Sequence, residues 1–168
     1  MIKPLIQKVV VAVNGSEQSI HAAMYGIMLA KQYKFELKAV YVVDSATLKQ
    51  LELSKFFLAE EAERYAKNLN SDGERYLKYV AELAKQKDVK IETELRSGAI
   101  WSELIKSAED YKADLILLGG KEHGSNASMN SVLRHDKISA TNSEIIGSSN
   151  CNVLVVRKPE IEKLFKLA

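Results

Sequence analysis

Five short apolar runs, spaced by segments of helical period, constrain this chain more than any other feature of its sequence. The first, Lys8 to Val13, reads Val9-Val10-Val11-Ala12-Val13 without polar alternation. That is the pattern of a strand covered on both faces. The others are Leu37 to Val43, Val89 to Leu95, Asp114 to Leu118 and Cys151 to Val156. Between them apolar residues recur at a period of about 3.6. Ile20, Ala23, Ile27 and Ala30 predict a helix to about Tyr33, with Ser16 as its cap. Leu58 to Gln86 predicts a long helix in which Gly73 marks a break. Asp44 to Phe57 is less regular. Ile100, Leu104, Ile105 and Ala108 predict the next helix, and Ile138, Ile145 and Ile146 one more, ended by Gly147.

Strand–helix alternation of this kind implies an α/β fold: an open, five-stranded parallel sheet, Rossmann-like, with helices on both faces. The only prolines, Pro4 and Pro159, bracket the pattern. Residues 1–168 therefore read as one domain, with a core of about 5–157 and a charged tail, 158–168, that is either a short docking helix or frayed.

Composition closes off several classes of function. With 46% apolar and 27% charged residues the chain has an ordinary globular balance. A net charge of +2 gives no electrostatic reason to expect nucleic acid or an anionic membrane as partner. No apolar run approaches the roughly 18 residues of a membrane span. The start Met1-Ile2-Lys3-Pro4 lacks a signal-peptide pattern, so a cytoplasmic protein is expected. The single cysteine, Cys151, reads as a small core residue. His21, His123 and His135 lack metal-ligand spacing, and no nucleophile elbow or P-loop is present, so neither a metal site nor a catalytic residue is expected.

In a parallel sheet the loops leaving the carboxyl ends of the strands gather along one edge, and ligands bind there. Gly15, Gly98, Gly119 and Gly120 all follow strand ends. The segment after Gly119-Gly120 is long, polar and rich in hydroxyls, and carries Lys121, Arg134 and Lys137. It leads into a helix start at Ser139-Ala140-Thr141, where Thr141 and Glu144 have capping-box spacing. Free N–H groups at such a start suit a phosphate.

The ordered set Val11-Ala12-Val13-Asn14-Gly15-Ser16, Val40-Tyr41-Val42-Val43-Asp44, Gly98 with Trp101 to Ala108, Ala113 to Gly119, and Cys151 to Arg157 resembles the universal stress protein family along nearly the whole chain. The resemblance implies the five-stranded sheet, a homodimer, and, for a subset of members, binding of ATP or AMP, with Mg²⁺ only where it accompanies the nucleotide. It points to Val13, Asn14, Val42, Leu118, Gly119, Gly120, Lys121, Ser139 and Ala140 as the cofactor-binding set. The nucleotide-binding members carry G-x2-G-x9-G-[ST] after the fourth strand. Here Gly119 matches the first glycine, Glu122 stands at the second, and Ser139-Ala140 replaces the closing pair. The interval from Gly119 to Ser139 is 20 positions against 13 in the motif, so the loop holds about seven extra residues. The acidic residue after the first strand is Asn14. A side chain and a negative charge at Glu122 oppose a triphosphate. Two readings stay open: a dimeric regulator with an atypical ATP or AMP site, and a member that binds no nucleotide and acts through protein partners. An enzyme, such as a slow nucleotide hydrolase, ranks behind both for want of an acid–base constellation.

Overall fold

The computed structural model describes residues 2–120 and 139–168. In chain order the elements are β1 (Lys8–Val13), α1 (Glu17–Tyr33), β2 (Glu36–Asp44), α2 (Ser45–Leu53), α3 (Ala59–Gln86), β3 (Ile91–Gly98), α4 (Ile100–Tyr111), β4 (Leu115–Gly119), α5 (Ala140–Ser148), β5 (Asn152–Val156) and α6 (Ile161–Leu167). The strands form one parallel sheet in the order β3-β2-β1-β4-β5. The α/β class and the five-stranded parallel sheet are thus as the alternation implies.

Successive side chains of a strand point to opposite faces, and the two cores follow from that. Val9, Val11 and Val13 of β1, Leu37, Ala39, Tyr41 and Val43 of β2, and Leu115 and Leu117 of β4 pack against α1 and α3. Val10, Val40, Ile116 and Leu118 pack against Leu104 and Ala108 of α4 and Ile145 of α5. The central strands carry apolar residues on both sides because both sides are covered. The edge strand β3 carries Glu92, Thr93 and Glu94, and its half-buried face holds an ion-pair network instead.

Several local expectations are corrected. Asp44 to Phe57 is irregular only at its end, after α2: Asp44 caps this helix, its carboxylate accepting from Thr47 N–H (3.1 Å) and Thr47 Oγ1 (2.8 Å). Gly73 does not break α3. It lies inside the helix, where an added Cβ would meet Leu95 Cδ1 at 2.6 Å and Tyr41 Cδ1 at 2.7 Å, so its bare backbone lets α3 sit close to the sheet. The third strand begins at Ile91, not Val89, and runs on to Gly98. The last helix before β5 starts earlier than a Thr141–Glu144 box requires, because Ser139 is the cap, its Oγ accepting from Asn142 N–H at 3.1 Å. Gly147 lies within α5 and does not end it. Ile145 is the residue of α5 that is buried, while Ile146 is exposed and Ile138 lies outside the described residues. Cys151 is half-buried, against the Val10 core.

The tail is a docked helix. Ile161 and Phe165, four apart on α6, are each 2% exposed and join the core that includes Ala23 and Ile27 of α1. No helix among the described residues is long and apolar enough to cross a membrane.

Candidate functional site

The chain runs from β1 outward to β2 and β3, then returns to the other side of β1 for β4 and β5. Crossovers on the two sides of β1 diverge, and such a reversal places the switch point, where open sheets form their crevice, at the carboxyl ends of β1 and β4. Val11 pairs with Leu117, so the chain exits at Asn14 and Gly119 lie side by side. Asn14 and Gly119 are both members of the cofactor-binding set that the family resemblance implies.

The exit from β1 is braced by its own side chains. Asn14 Oδ1 accepts from Ser16 N–H (2.9 Å), and Asn14 N–H donates to Ser19 Oγ (3.2 Å). Ser16 caps α1, its Oγ accepting from Ser19 N–H at 3.1 Å, as its position after the turn predicts. Gly15 sits at φ +81°, a conformation that disfavours any other residue. With its carbonyl oxygen engaged, exposed Asn14 has its amide NH₂ group to offer a ligand.

The exit from β4 is braced from elsewhere. A Cβ on Gly119 would lie 2.6 Å from Gln18 C and 2.8 Å from Ser19 N, so the first turn of α1 rests directly on this glycine. Close approach of the protein's own backbone is the reason for glycine here. The Gly119 carbonyl accepts from Asn142 Nδ2 at 2.8 Å, which ties the first turn of α5 to the end of β4. The N–H groups of Ala140 and Thr141 precede the first intrahelical bonds and point out of the start of α5. Arg157, immediately after β5, lies against Gly120, its Cγ 3.6 Å from where a Cβ would be.

Of the sequence-derived set, Val13 and Leu118 are 3% and 1% exposed, so their side chains belong to the core and only their main chains reach the edge. Val42 is half-buried beside the second core. Gly120 and Ser139 are half-buried and Ala140 is exposed. Lys121, with Glu122, Gly124, Arg134 and Lys137, lies outside the described residues. Asn142, Gln18 and Arg157 escaped the sequence reading. Asn142 and Gln18 are ordinary polar residues in a helix's first turn, and their role depends on where Gly119 lies in space. Arg157 was legible as the first charge after the last strand.

Behind β2 and β3, on the α4 side, Lys38 is 6% exposed and pairs with Glu94. Arg96 bridges Glu94 (2.7 Å) and Glu103 of α4 (3.0 Å). Burial pushes the Glu94 carboxyl up, but the hydrogen bonds from Lys38 and Arg96 outweigh it and hold the group below its ordinary value. The hydrogen bond from Arg96 does the same for Glu103. Every charge in this network is paired, and it braces the Gly98 turn rather than facing the crevice. An open groove of about 630 Å³ lies at the opposite, amino edge of the sheet. Its rim alternates Lys31, Lys34 and Lys90 with Glu36, Asp88 and Glu92, so it selects neither sign of charge.

The model of the universal stress protein family matches residues 5–157. The chain belongs to the universal stress protein family. A universal stress protein of Methanocaldococcus jannaschii is 33% identical over 160 residues, covering 94% of this chain and 86% of the relative. A crystal structure of a family member from Burkholderia pseudomallei superposes with a TM-score of 0.69 at 18% identity, covering 94% of this chain and all of that one. A family member from Arabidopsis thaliana, solved with AMP bound, superposes with a TM-score of 0.62 at 14% identity, covering 92% of this chain and 94% of that one. At these identities the structural likeness speaks for the fold; the bound AMP is a property of the Arabidopsis protein.

Proposed function

We propose that this universal stress protein is a homodimeric regulator that binds an adenine nucleotide, ATP or AMP, in an altered way at the crevice between β1 and β4. The observation that carries the reading is the convergence of three elements at one switch point: the Asn14 amide, the Gly119 exit and the start of α5, held to Gly119 by Asn142. The outward N–H groups of Ala140 and Thr141 suit a phosphate. Arg157 adds a cation beside Gly120. The NH₂ of Asn14 suits an acceptor on the base or ribose. Mg²⁺ would enter only with the nucleotide. The dimer reading rests on β5, an edge strand with Leu154 exposed, while the tail packs on α1 rather than along that edge. Taken with the fold, residues 1–168 act as one unit.

A second reading, a non-nucleotide-binding member acting through protein partners, is favoured by one feature. Where the motif has Gly-Ser, this chain has Ser139-Ala140, and the Ser139 hydroxyl is occupied in capping α5. Calorimetric titration with ATP and AMP separates the two. Heat of binding that is reduced by Asn142→Ala supports the nucleotide site. No heat at millimolar ligand, from protein that sediments as a dimer, supports the second reading.

A further inference from the structure

His21 lies on the second turn of α1, and its side chain is only 16% exposed. Two carboxylates face its Nε2. Glu17, one turn earlier on the same helix, places Oε1 3.8 Å away, and Glu162 of α6 places Oε2 at 3.8 Å. All three atoms lie within 4.8 Å of one another. A hydrogen bond would need about 2.7–3.2 Å, so the imidazole nitrogen stands between two carboxylates and bonds to neither. Atoms that share a zinc ion at about 2.0–2.2 Å are about 3.3–3.6 Å apart at the tetrahedral angle, and up to about 4.4 Å apart as the angle opens to a line. At 3.8 Å both carboxylates are within ion-pair range of the imidazole, and small side-chain rotations would bring all three atoms to the separations a shared cation requires.

We propose that Glu17, His21 and Glu162 form a divalent transition-metal site, of the zinc type, that clamps the C-terminal helix α6 onto α1. Two ligands come from positions four apart on one helix, which stack on a single face. The third is held in place by its neighbours. Ile161 and Phe165 bury the inner face of α6, and Lys166 binds Glu162 Oε1 at 2.9 Å, leaving Oε2 directed at the imidazole. One imidazole and two carboxylates form a mixed donor set, suited to Zn²⁺ rather than to Mg²⁺ or Ca²⁺, which take oxygen alone. Three protein ligands leave a fourth position for water. None of the site's three ligands is among the residues placed at the β1–β4 crevice. It would nevertheless stiffen α1, whose first turn rests on Gly119.

The test uses tag-free, full-length protein stripped with chelator and titrated with Zn²⁺ by calorimetry. Melting at a hundredfold excess of Zn²⁺ over Kd should raise Tm by about 5–10 °C, and Mg²⁺ should not. His21→Asn and Glu162→Gln should each weaken binding by about tenfold or more. A triple variant, His123→Asn, His135→Asn and Cys151→Ser, removes the other soft donors and should bind Zn²⁺ like wild type. The proposal is overturned if wild type takes up no Zn²⁺, if either ligand variant binds as tightly as wild type, or if the triple variant loses binding. Should His21→Asn fold poorly, Glu162→Gln, at a partly exposed position on the last helix, carries the same test alone.

Discussion

The two chain exits that flank the crevice are built in opposite ways. After β1, the hydrogen-bonding groups all lie within six residues: Asn14, Ser16 and Ser19 bond to one another, and Gly15 supplies the turn, with only the yielding Tyr76 ring against it from a distance in sequence. After β4, the bracing groups are distant in sequence. Gly119 is pressed by Gln18 and Ser19 of α1 and held by Asn142 of α5. A local brace forms whenever its own few residues do. A long-range brace exists only once the sheet and both its layers are assembled. The β1 exit is therefore a rigid wall of the crevice, and the β4 exit is the part whose shape reports on the packing of α1 and α5.

Substitutions can break this contrast, beginning with Gly119→Ala. Its Cβ would meet main-chain atoms at 2.6–2.8 Å, which no rotamer can relieve, so a loss of about 3 kcal/mol is expected in chemical denaturation. A loss below about 1 kcal/mol would mean that α1 moves freely against β4. Gly15→Ala should cost less, about 1–2 kcal/mol. Its obstacles are the left-handed φ and the Tyr76 ring, and a side chain can yield where a main chain cannot. Ser16→Ala removes the cap of α1 and should cost about 1 kcal/mol by the same assay. Asn142→Ala deletes one bond to the Gly119 carbonyl and should cost about 0.5–1 kcal/mol. Its larger effect should appear in nucleotide titration, because it frees the start of α5 from the end of β4. Gly120→Ala should change stability by no more than about 0.5 kcal/mol, since among the described residues the nearest atom, Val156 O, is 3.4 Å from the new Cβ. Equal losses for Gly119→Ala and Gly120→Ala would erase the distinction between the two neighbouring glycines.

Much of the fold was legible because strand and helix periods differ so sharply here. The span of β1, the cap at Ser16 and the long α3 follow from Val9 to Val13, from Ser16 itself and from the Ala-, Glu- and Leu-rich run after Leu58. The errors cluster where a residue's local preference competes with a distant neighbour. Gly73 looks like a helix break and is a packing contact with Tyr41 and Leu95. Gly147 looks like a helix stop and is passed through. Asp44 was a readable cap that the irregular sequence after it obscured. At the crevice, Asn14 and Gly119 could be nominated from their positions after strands. Asn142 could not, because its partner lies 23 residues away.

By itself the sequence determined the α/β class, the parallel sheet and the edge where strands end, because hydrophobic period and turn residues act over a few residues at a time. Only the tertiary structure decided which glycine is indispensable, that the tail docks on α1, and that Glu162 comes to face His21 from the far end of the chain. Those facts depend on which atoms share a space after folding, and such contacts join residues whose separation along the chain carries no record of them.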